Sequence, residues 1–451
     1  MDIDDLREIL RKKNARQSTD RVKELWKSID AQNNLTTREK LEKLLELSRR
    51  VKKEDREQTG ERIKQPFRGA VSQPFLVMEN RYRLDGRYGQ IPLSLGLNIP
   101  GQVLAILARD EDFQPLSLSG AVFVDLETTG LAGGTGTIPF LIGLAFLEQD
   151  SLRIVQYFLN DLAAEGLMLE ELRQLLEEKK FTSVISYNGK GFDLPLLETR
   201  FTLNRLRFSL GELPHLDFLF TARHLWKYKY ESCRLCELAL NHLGASRSED
   251  IPSEEIPWRY FQYLRSGDFS LVEPILYHNQ EDLLSLYGVV VAGAVLVYRT
   301  LSEQEVELEG AELLGVGKIL EKAGQVEKSV TFYEKALERE LPGPLSSSVK
   351  KNLARYFKRE KLWDKSVALW QNLLETGEDL ECFRQLAIYY EHHRKDPEEA
   401  LKYALDGLAL SQGRDLKYEQ DFRRRVDRLN QKVQKLSQRL KNGRDLKKEA
   451  E

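Results

Sequence analysis

Strand-forming patterns occupy only the middle of this 451-residue chain. Between about residues 66 and 300, short runs of β-branched and aromatic residues are mixed with helical patterns, which predicts an α/β domain. Three of these runs, at 121–129, 138–148 and 151–159, follow one another closely and are separated by Gly-rich or acidic turns. Such spacing predicts a three-stranded antiparallel meander, with the later strands separated by helices.

Beyond about residue 310 the strand patterns disappear and helical segments recur in pairs. Three segments between 310 and 412 align with one another and place Ser329, Ser366 and Ala400 at corresponding positions. Their spacings of 37 and 34 residues resemble the period of the tetratricopeptide repeat (TPR), whose small residues let paired helices pack closely. Most aromatic signature residues of that repeat are replaced here. The resemblance implies an all-α domain of TPR-like helical repeats that presents a surface to a partner or to the substrate, and the mixed acids and bases of these repeats favour a protein partner.

The two ends of the chain are dominated by charged residues. Residues 1–65 have sparse leucines and no strand pattern, which predicts a charged N-terminal arm that is helical or partly disordered. Residues 413–451 predict a charged helical tail. The net charge of −3 results from 68 basic and 71 acidic residues, so any contact with nucleic acid would depend on a local patch or on metal ions.

Several features favour the cytoplasm. The first residues have neither the basic nor the apolar part of a signal peptide. Only three cysteines are present, which argues against a disulfide framework. The longest apolar run, at 288–298, is too short to span a bilayer and predicts a buried helix. We therefore expect a cytoplasmic protein without membrane contact.

Two acids, Asp125 and Glu127, stand at the end of the first strand of the predicted meander. Side chains alternate along a strand, so both carboxylates belong to the same face, roughly 6 to 7 Å apart along it. In a partly buried place they would repel each other, and a hard divalent cation would relieve that repulsion. The alternative is a solvated strand end that carries two ordinary surface acids.

Two later motifs complete a pattern. The sequence YNGKGFD places Asn188 and Asp193 at a strand-to-helix junction, and YHNQED at 277–282 leads into a helix. Together with the acid pair, these motifs resemble the DEDD superfamily of 3′-to-5′ exonucleases, which has an RNase H-like fold. The resemblance is closer to the YprB-like proteins of bacteria, in which such a domain precedes TPR repeats, and it covers about residues 80–400. It implies a mixed five-stranded sheet flanked by helices within residues 66–300.

The same resemblance implies a metal-dependent nuclease and its site. In that family four acids hold two divalent ions, Mg²⁺ or Mn²⁺, for phosphodiester hydrolysis. The matching residues are Asp125, Glu127, Asp193 and Asp282. Asn188 and Phe192 match residues near a nucleic acid substrate. Thr128 stands where the family's backbone approaches the terminal nucleotide.

The general base departs from the superfamily pattern, which has His five positions or Tyr four positions before the last Asp. Here Tyr277 is at the fifth position before Asp282 and His278 at the fourth. If the segment is helical, His278 lies over Asp282 and can take a proton from the attacking water, whereas Tyr277 is turned away. The alternatives are that His278 only caps or packs at the helix start, or that Tyr277 is the base.

Other candidates have two interpretations. Asp217 either supports the site from behind or is a structural acid. Arg200, Arg205 and Arg207 either line a phosphate path or form a solvated helix face. The Gly-rich segment at 131–136 lacks nucleotide-binding spacing and predicts a connecting loop near the site.

The function itself also has alternatives. The acid pattern favours an exonuclease, while a non-catalytic scaffold built on a nuclease-like domain, and an endonuclease, are the competing hypotheses. The choice between DNA and RNA stays open, because recognition of the 2′-hydroxyl depends on details of the pocket.

Overall fold

A computed structural model describes residues 73–130, 136–247, 251–302, 307–377 and 379–448. The predicted N-terminal arm and most of the Gly-rich loop lie outside the described residues. All described residues belong to one unit that extends over residues 70–451.

A mixed six-stranded sheet forms the centre of the first part of the chain. The strands are β1 Phe75–Arg83, β2 Arg87–Tyr88, β3 Ile91–Pro92, β4 Ala121–Thr128, β5 Pro139–Glu148, β6 Ser151–Leu159, β7 Ser183–Ser186 and β8 His215–Asp217. The order in the sheet is β1-β6-β5-β4-β7-β8, and β2 and β3 form a separate small hairpin. Strand β7 pairs in parallel with both β4 and β8, while β1, β6, β5 and β4 pair antiparallel with one another.

The predicted meander is confirmed as β4, β5 and β6, but the expected number of five strands is wrong. The additional strand is β1, which lies at the edge of the sheet and pairs only with β6. Its sequence, FLVMENRYR, is half polar, and only two of its nine residues are buried. An edge strand of this kind lacks the continuous apolar run by which the central strands are predicted.

The α-helices described in this part of the chain are α1 Gly101–Ala108, α2 Glu165–Lys179, α3 Asp193–Leu203, α4 Phe218–Trp226, α5 Leu235–Asn241, α6 Ile256–Ser266 and α7 Glu273–Leu301. The alternating residues of β4 contribute to two separate apolar clusters, Phe123 to one and Val122 and Val124 to the other. The sheet is therefore covered on both faces. Side chains two residues apart in a strand share a face, so Asp125 and Glu127 lie on the same face of the sheet as Phe123. The ring of Phe123 packs edge-on against Tyr287 of α7.

Helix α7 is the long buried helix that the apolar run at 288–298 predicts. The segment Phe269–Leu301 is long and apolar enough to cross a membrane, but 72% of its most apolar window is buried inside the protein. It packs against β4, β5 and β6, so it is the core helix of this domain.

The rest of the described chain is helical, as expected. Its helices are α8 Gly310–Lys322, α9 Val326–Leu337, α10 Gly343–Arg359, α11 Trp363–Thr376, α12 Leu380–Tyr389, α13 Pro397–Ser411 and α14 Leu416–Lys448. The aligned small residues Ser329, Ser366 and Ala400 are all buried. Ser366 also donates a hydrogen bond from its hydroxyl to the carbonyl of Ala354 on α10, at 2.8 Å. Paired helices therefore approach closely at these positions.

The two parts meet where α8 crosses α4. A Cβ atom added at Gly315 of α8 would lie 2.1 Å from the carbonyl oxygen of Leu225 in α4. The backbones of these two helices are thus in direct contact. At the other end of the array, the charged tail forms α14, which buries Phe422 and Leu429 against its neighbours.

Candidate active site

The four predicted metal-binding acids come from three elements that meet at one edge of the sheet. Asp125 and Glu127 end β4, Asp193 begins α3 shortly after β7, and Asp282 lies in α7. Strands β4 and β7 are parallel neighbours, so their carboxyl ends lie at the same edge. Burial raises the pKa of Asp125 well above its ordinary value, and the charges of Asp282, Glu127 and Asp193 raise it further. The ionised form of Asp125 is therefore less favourable than that of an ordinary aspartate.

Asp125 is held in place by a row of polar groups that crosses the sheet. Asp125 of β4, Gly143 of β5 and Gln156 of β6 are opposite one another in register. Asn279 of α7 lies above Gly143 and donates from Nδ2 to Asp125 Oδ2 at 2.7 Å. Its own Oδ1 accepts a hydrogen bond from Gln156 Nε2 at 2.8 Å. Because Asn279 is fully buried, its amide fixes the direction of the Asp125 carboxylate.

Gly143 provides the space for this arrangement, and we expect its replacement by alanine to destabilise the protein. The new Cβ would lie 2.2 Å from Asn279 Oδ1, and hydrogen bonds hold that amide at both ends. We expect a loss of about 1 to 3 kcal/mol in the free energy of unfolding, as for other overpacked buried positions. Denaturant unfolding of Gly143→Ala measures this loss. Gly343→Ala is the control, because nothing lies within 4 Å of its added Cβ, and an equal midpoint for the two variants would contradict the prediction.

Helix α7 brings His278 and Asp282 together. The helix begins at Glu273, so residues 277–282 are helical, as the prediction that His278 lies over Asp282 requires. His278 Nε2 is 3.3 Å from Asp282 Oδ2 and 3.7 Å from Glu127 Oε1. The neighbouring Tyr277 is rotated by about 100° around the helix axis and so has a different direction from His278.

A basic residue that sequence reasoning did not single out also contacts the site. Arg247, in the connection between α5 and α6, places Nη2 2.5 Å from Asp282 Oδ1. Although burial raises the pKa of Asp282, the hydrogen bond with His278 and the charge of Arg247 lower it below its ordinary value. Asp282 therefore has a basic partner at each carboxylate oxygen, whereas the charged groups that act on Asp125 are mainly other acids.

The second-motif loop is organised by Asp217, at the end of β8. Its carboxylate accepts hydrogen bonds from the backbone N–H groups of Asn188 at 2.8 Å, Lys190 at 3.2 Å and Leu219 at 3.2 Å. It thus caps α4 and also fixes the loop in which Asn188 takes a left-handed conformation with φ of 71°. Burial and the charge of Asp217 raise the pKa of Asp193 to about 7.

The residues predicted to lie near substrate have different environments. Asn188 is exposed, and Phe192 is half-buried directly before α3. The side chain of Thr128 is buried, and its hydroxyl donates to the carbonyl of Gly130 at 2.8 Å. Asn188 and Phe192 are therefore accessible from the site edge, while Thr128 shapes the turn after β4.

Two kinds of comparison with known proteins agree with this architecture. A family model of the RNase H superfamily, RNase_H_2, matches residues 122–292, a span that contains all four acids and His278. The chain is also 30% identical over 315 residues to the protein YprB of Bacillus subtilis strain 168, covering 69% of this chain and 74% of that protein. The chain belongs to the YprB family. Its α/β part is an RNase H-like domain.

Among solved structures, this YprB-family chain is similar to a family B DNA polymerase from the archaeon Pyrobaculum calidifontis. The sequences are 13% identical and the TM-score is 0.33, with 47% of this chain and 28% of the polymerase covered. A similarity of this extent supports no conclusion about function.

The donor atoms of the YprB-family site suit hard divalent ions, which prefer carboxylate oxygen. Burial and the neighbouring negative charges raise the pKa of Asp125, and a bound cation would favour its ionised form. Within the described part of the chain, however, no three His, Cys, Asp or Glu side chains are already grouped to hold a metal ion. In the described structure, Asn279 contacts Asp125, while Arg247 and His278 contact Asp282.

Three arginines were predicted either to line a phosphate path or to form a solvated helix face, and Arg200 does neither. Its side chain is buried and forms an ion pair with Glu165 of α2, so it is a structural residue. Arg207 is exposed and pairs with Glu212 at 3.0 Å. Arg205 is exposed at the turn after α3, with a φ of 58°.

Proposed function

We propose that this YprB-family protein is a metal-dependent nuclease of the DEDD type that removes nucleotides from the 3′ end of DNA or RNA. The observation that carries the proposal is the convergence of four carboxylates and His278 at one edge of an RNase H-like sheet. The negative charges of the carboxylates alone would repel a phosphodiester. Divalent ions bound there would offset these charges and allow the substrate phosphate to approach. Bound Mg²⁺ or Mn²⁺ would activate a water molecule and stabilise the departing 3′ oxygen.

The protein's own residues supply orientation and proton transfer. Asn279 fixes the Asp125 carboxylate, and the rigid β4 strand places Glu127 two residues later. His278 Nε2, which lies between Glu127 and Asp282, would take the proton of the attacking water as general base. Asn188 and Phe192 would contact the terminal nucleotides. Thr128 would hold the β4 turn against them.

The helical array would serve as a surface for a protein partner. Its paired helices and buried small residues are compatible with TPR-like stacking, which typically creates an extended concave face. A cytoplasmic location is the simplest proposal for the three cysteines, which are all unpaired, with Cys236 exposed.

Purified full-length protein with Mn²⁺ or Mg²⁺ and 5′-labelled single- and double-stranded DNA and RNA provides the test. We expect a ladder that shortens progressively from the 3′ end and stops when EDTA is added. A substrate whose 3′ end is blocked by phosphorothioate linkages should resist. Internal fragments from the blocked substrate would indicate an endonuclease. Binding without cleavage under all these conditions would favour the scaffold hypothesis.

A further inference from the structure

Arg247 is built into the site by several contacts beyond its ion pair. Its side chain is only 6% exposed. Besides Asp282, Nη2 contacts Ser285 Oγ at 2.8 Å and the carbonyl oxygen of Glu281 at 3.4 Å. Ser285 is in turn hydrogen bonded to the hydroxyl of Tyr88 at 2.8 Å. Helix α7 and the small hairpin thus hold the guanidinium against Asp282.

The two oxygens of Asp282 are both engaged by protein groups. Oδ1 faces Arg247 at 2.5 Å, and Oδ2 faces His278 Nε2 at 3.3 Å. An arginine side chain keeps its positive charge at any pH at which the protein is folded. A divalent ion that approaches Asp282 therefore meets a fixed positive charge and an occupied oxygen.

We propose that Arg247 is a positioning residue that acts as an internal counter-cation of Asp282 and competes with the divalent ion for this carboxylate. This inference rests on the proposed metal site and adds a determinant of its affinity. In the metal-free protein Arg247 offsets the negative charge of Asp282. When a metal ion binds, the guanidinium shifts away from Oδ1 while Ser285 and the Glu281 carbonyl retain it nearby. Arg247 thereby weakens metal binding and keeps the metal-free site assembled.

The proposal predicts tighter metal binding when the charge is removed. We expect Arg247→Gln to bind Mn²⁺ roughly tenfold more tightly than the wild type, since removing a like charge within a few ångströms of a partly buried site has effects of this order. Electron paramagnetic resonance of free Mn²⁺ in a titration of purified full-length protein measures the affinity without any nuclease assay. Ser285→Ala, which removes one anchor of Arg247, should change the affinity in the same direction by less.

Two controls isolate the contact. Arg259→Gln removes an arginine of α6 that pairs with Glu255, the residue just before that helix, and should leave Mn²⁺ affinity unchanged. In an Asp282→Asn background, Arg247→Gln should no longer tighten binding, because the shared carboxylate is absent. Equal or weaker Mn²⁺ binding by folded Arg247→Gln, or a tenfold gain that persists in the Asp282→Asn background, would overturn the proposal.

A second readout covers the case in which Arg247→Gln folds poorly. Arg247→Lys keeps the charge but loses the fork of donors, so its Mn²⁺ affinity should stay within about threefold of the wild type. An affinity gain in Arg247→Lys as large as the one expected for glutamine would also count against competition by charge. Absence of nuclease activity in the wild type would contradict the proposed function, whereas these binding results concern Arg247 and Asp282 alone.

Discussion

Replacing Asp125 with asparagine should lower nuclease turnover by about 10³-fold or more while the protein stays folded. The carboxylate is central to the acidic cluster, and a neutral amide of the same size would misplace the ions whose charge stabilises the transition state. Single-turnover cleavage of a 5′-labelled oligonucleotide with Mn²⁺ measures the loss.

The same substitution should have the opposite effect on stability. Burial and neighbouring acids raise the pKa of Asp125 well above its ordinary value, so its ionised form is unfavourable in the metal-free fold. At neutral pH, Asp125→Asn removes this repulsion and should unfold at the same temperature as the wild type or at a higher one when EDTA is present. Asp85→Asn, an exposed acid paired with Arg83, is the control and should leave turnover unchanged. Near wild-type turnover in Asp125→Asn would remove Asp125 from the proposed metal site.

His278→Ala should lower turnover by roughly 10²- to 10⁴-fold, the usual contribution of a positioned general base. We expect His278 to be the base because its Nε2 lies 3.3 Å from Asp282 and 3.7 Å from Glu127. Tyr277→Phe should reduce turnover by less than about tenfold. Turnover of both variants is measured at saturating Mn²⁺, so that a change in metal affinity is not mistaken for loss of the base.

The comparison of the two variants is decisive because they are adjacent in one helix. A purely structural role for His278 would lower the unfolding temperature and turnover together, and His278→Asn, which can keep a polar contact with Asp282, would then restore activity. If His278 moves a proton, His278→Asn should remain as slow as His278→Ala. A larger loss in Tyr277→Phe than in His278→Ala would assign the base to Tyr277.

The parts of the site that sequence reasoning located are those fixed by local structure. The strand alternation that places Asp125 and Glu127 on one face, and the helical spacing that places His278 over Asp282, depend on only a few consecutive residues. Asp193 at the first position of α3 likewise follows from the short Gly-rich turn before it. Such features need no knowledge of distant contacts.

The residues that sequence reasoning missed act across the fold. Asn279 reaches Asp125 over 154 positions in the chain, and Gln156 reaches Asn279 over 123. Gly143 gave one signal, a glycine inside a strand, which often marks close approach by another group. Arg247 gave none, because its contacts with Glu281 and Ser285 of α7 reach over 34 and 38 positions in the chain. Sequence reasoning missed β1 because few of its residues are apolar and buried. The strand is held in the sheet by its pairing with β6.

The contact between α8 and α4 has a consequence for how this family can vary. The RNase H superfamily match ends at residue 292, within α7, yet Leu225 and Trp226 of α4 are fully buried in the same apolar cluster as Leu314 and Val316 of α8. A recombination event that joined the nuclease domain to another C-terminal partner would expose this apolar surface and would have to supply a glycine-like approach to Leu225. The α/β part and the helical array thus share one apolar cluster, and a chain cut at residue 292, where the superfamily match ends, would lose part of it.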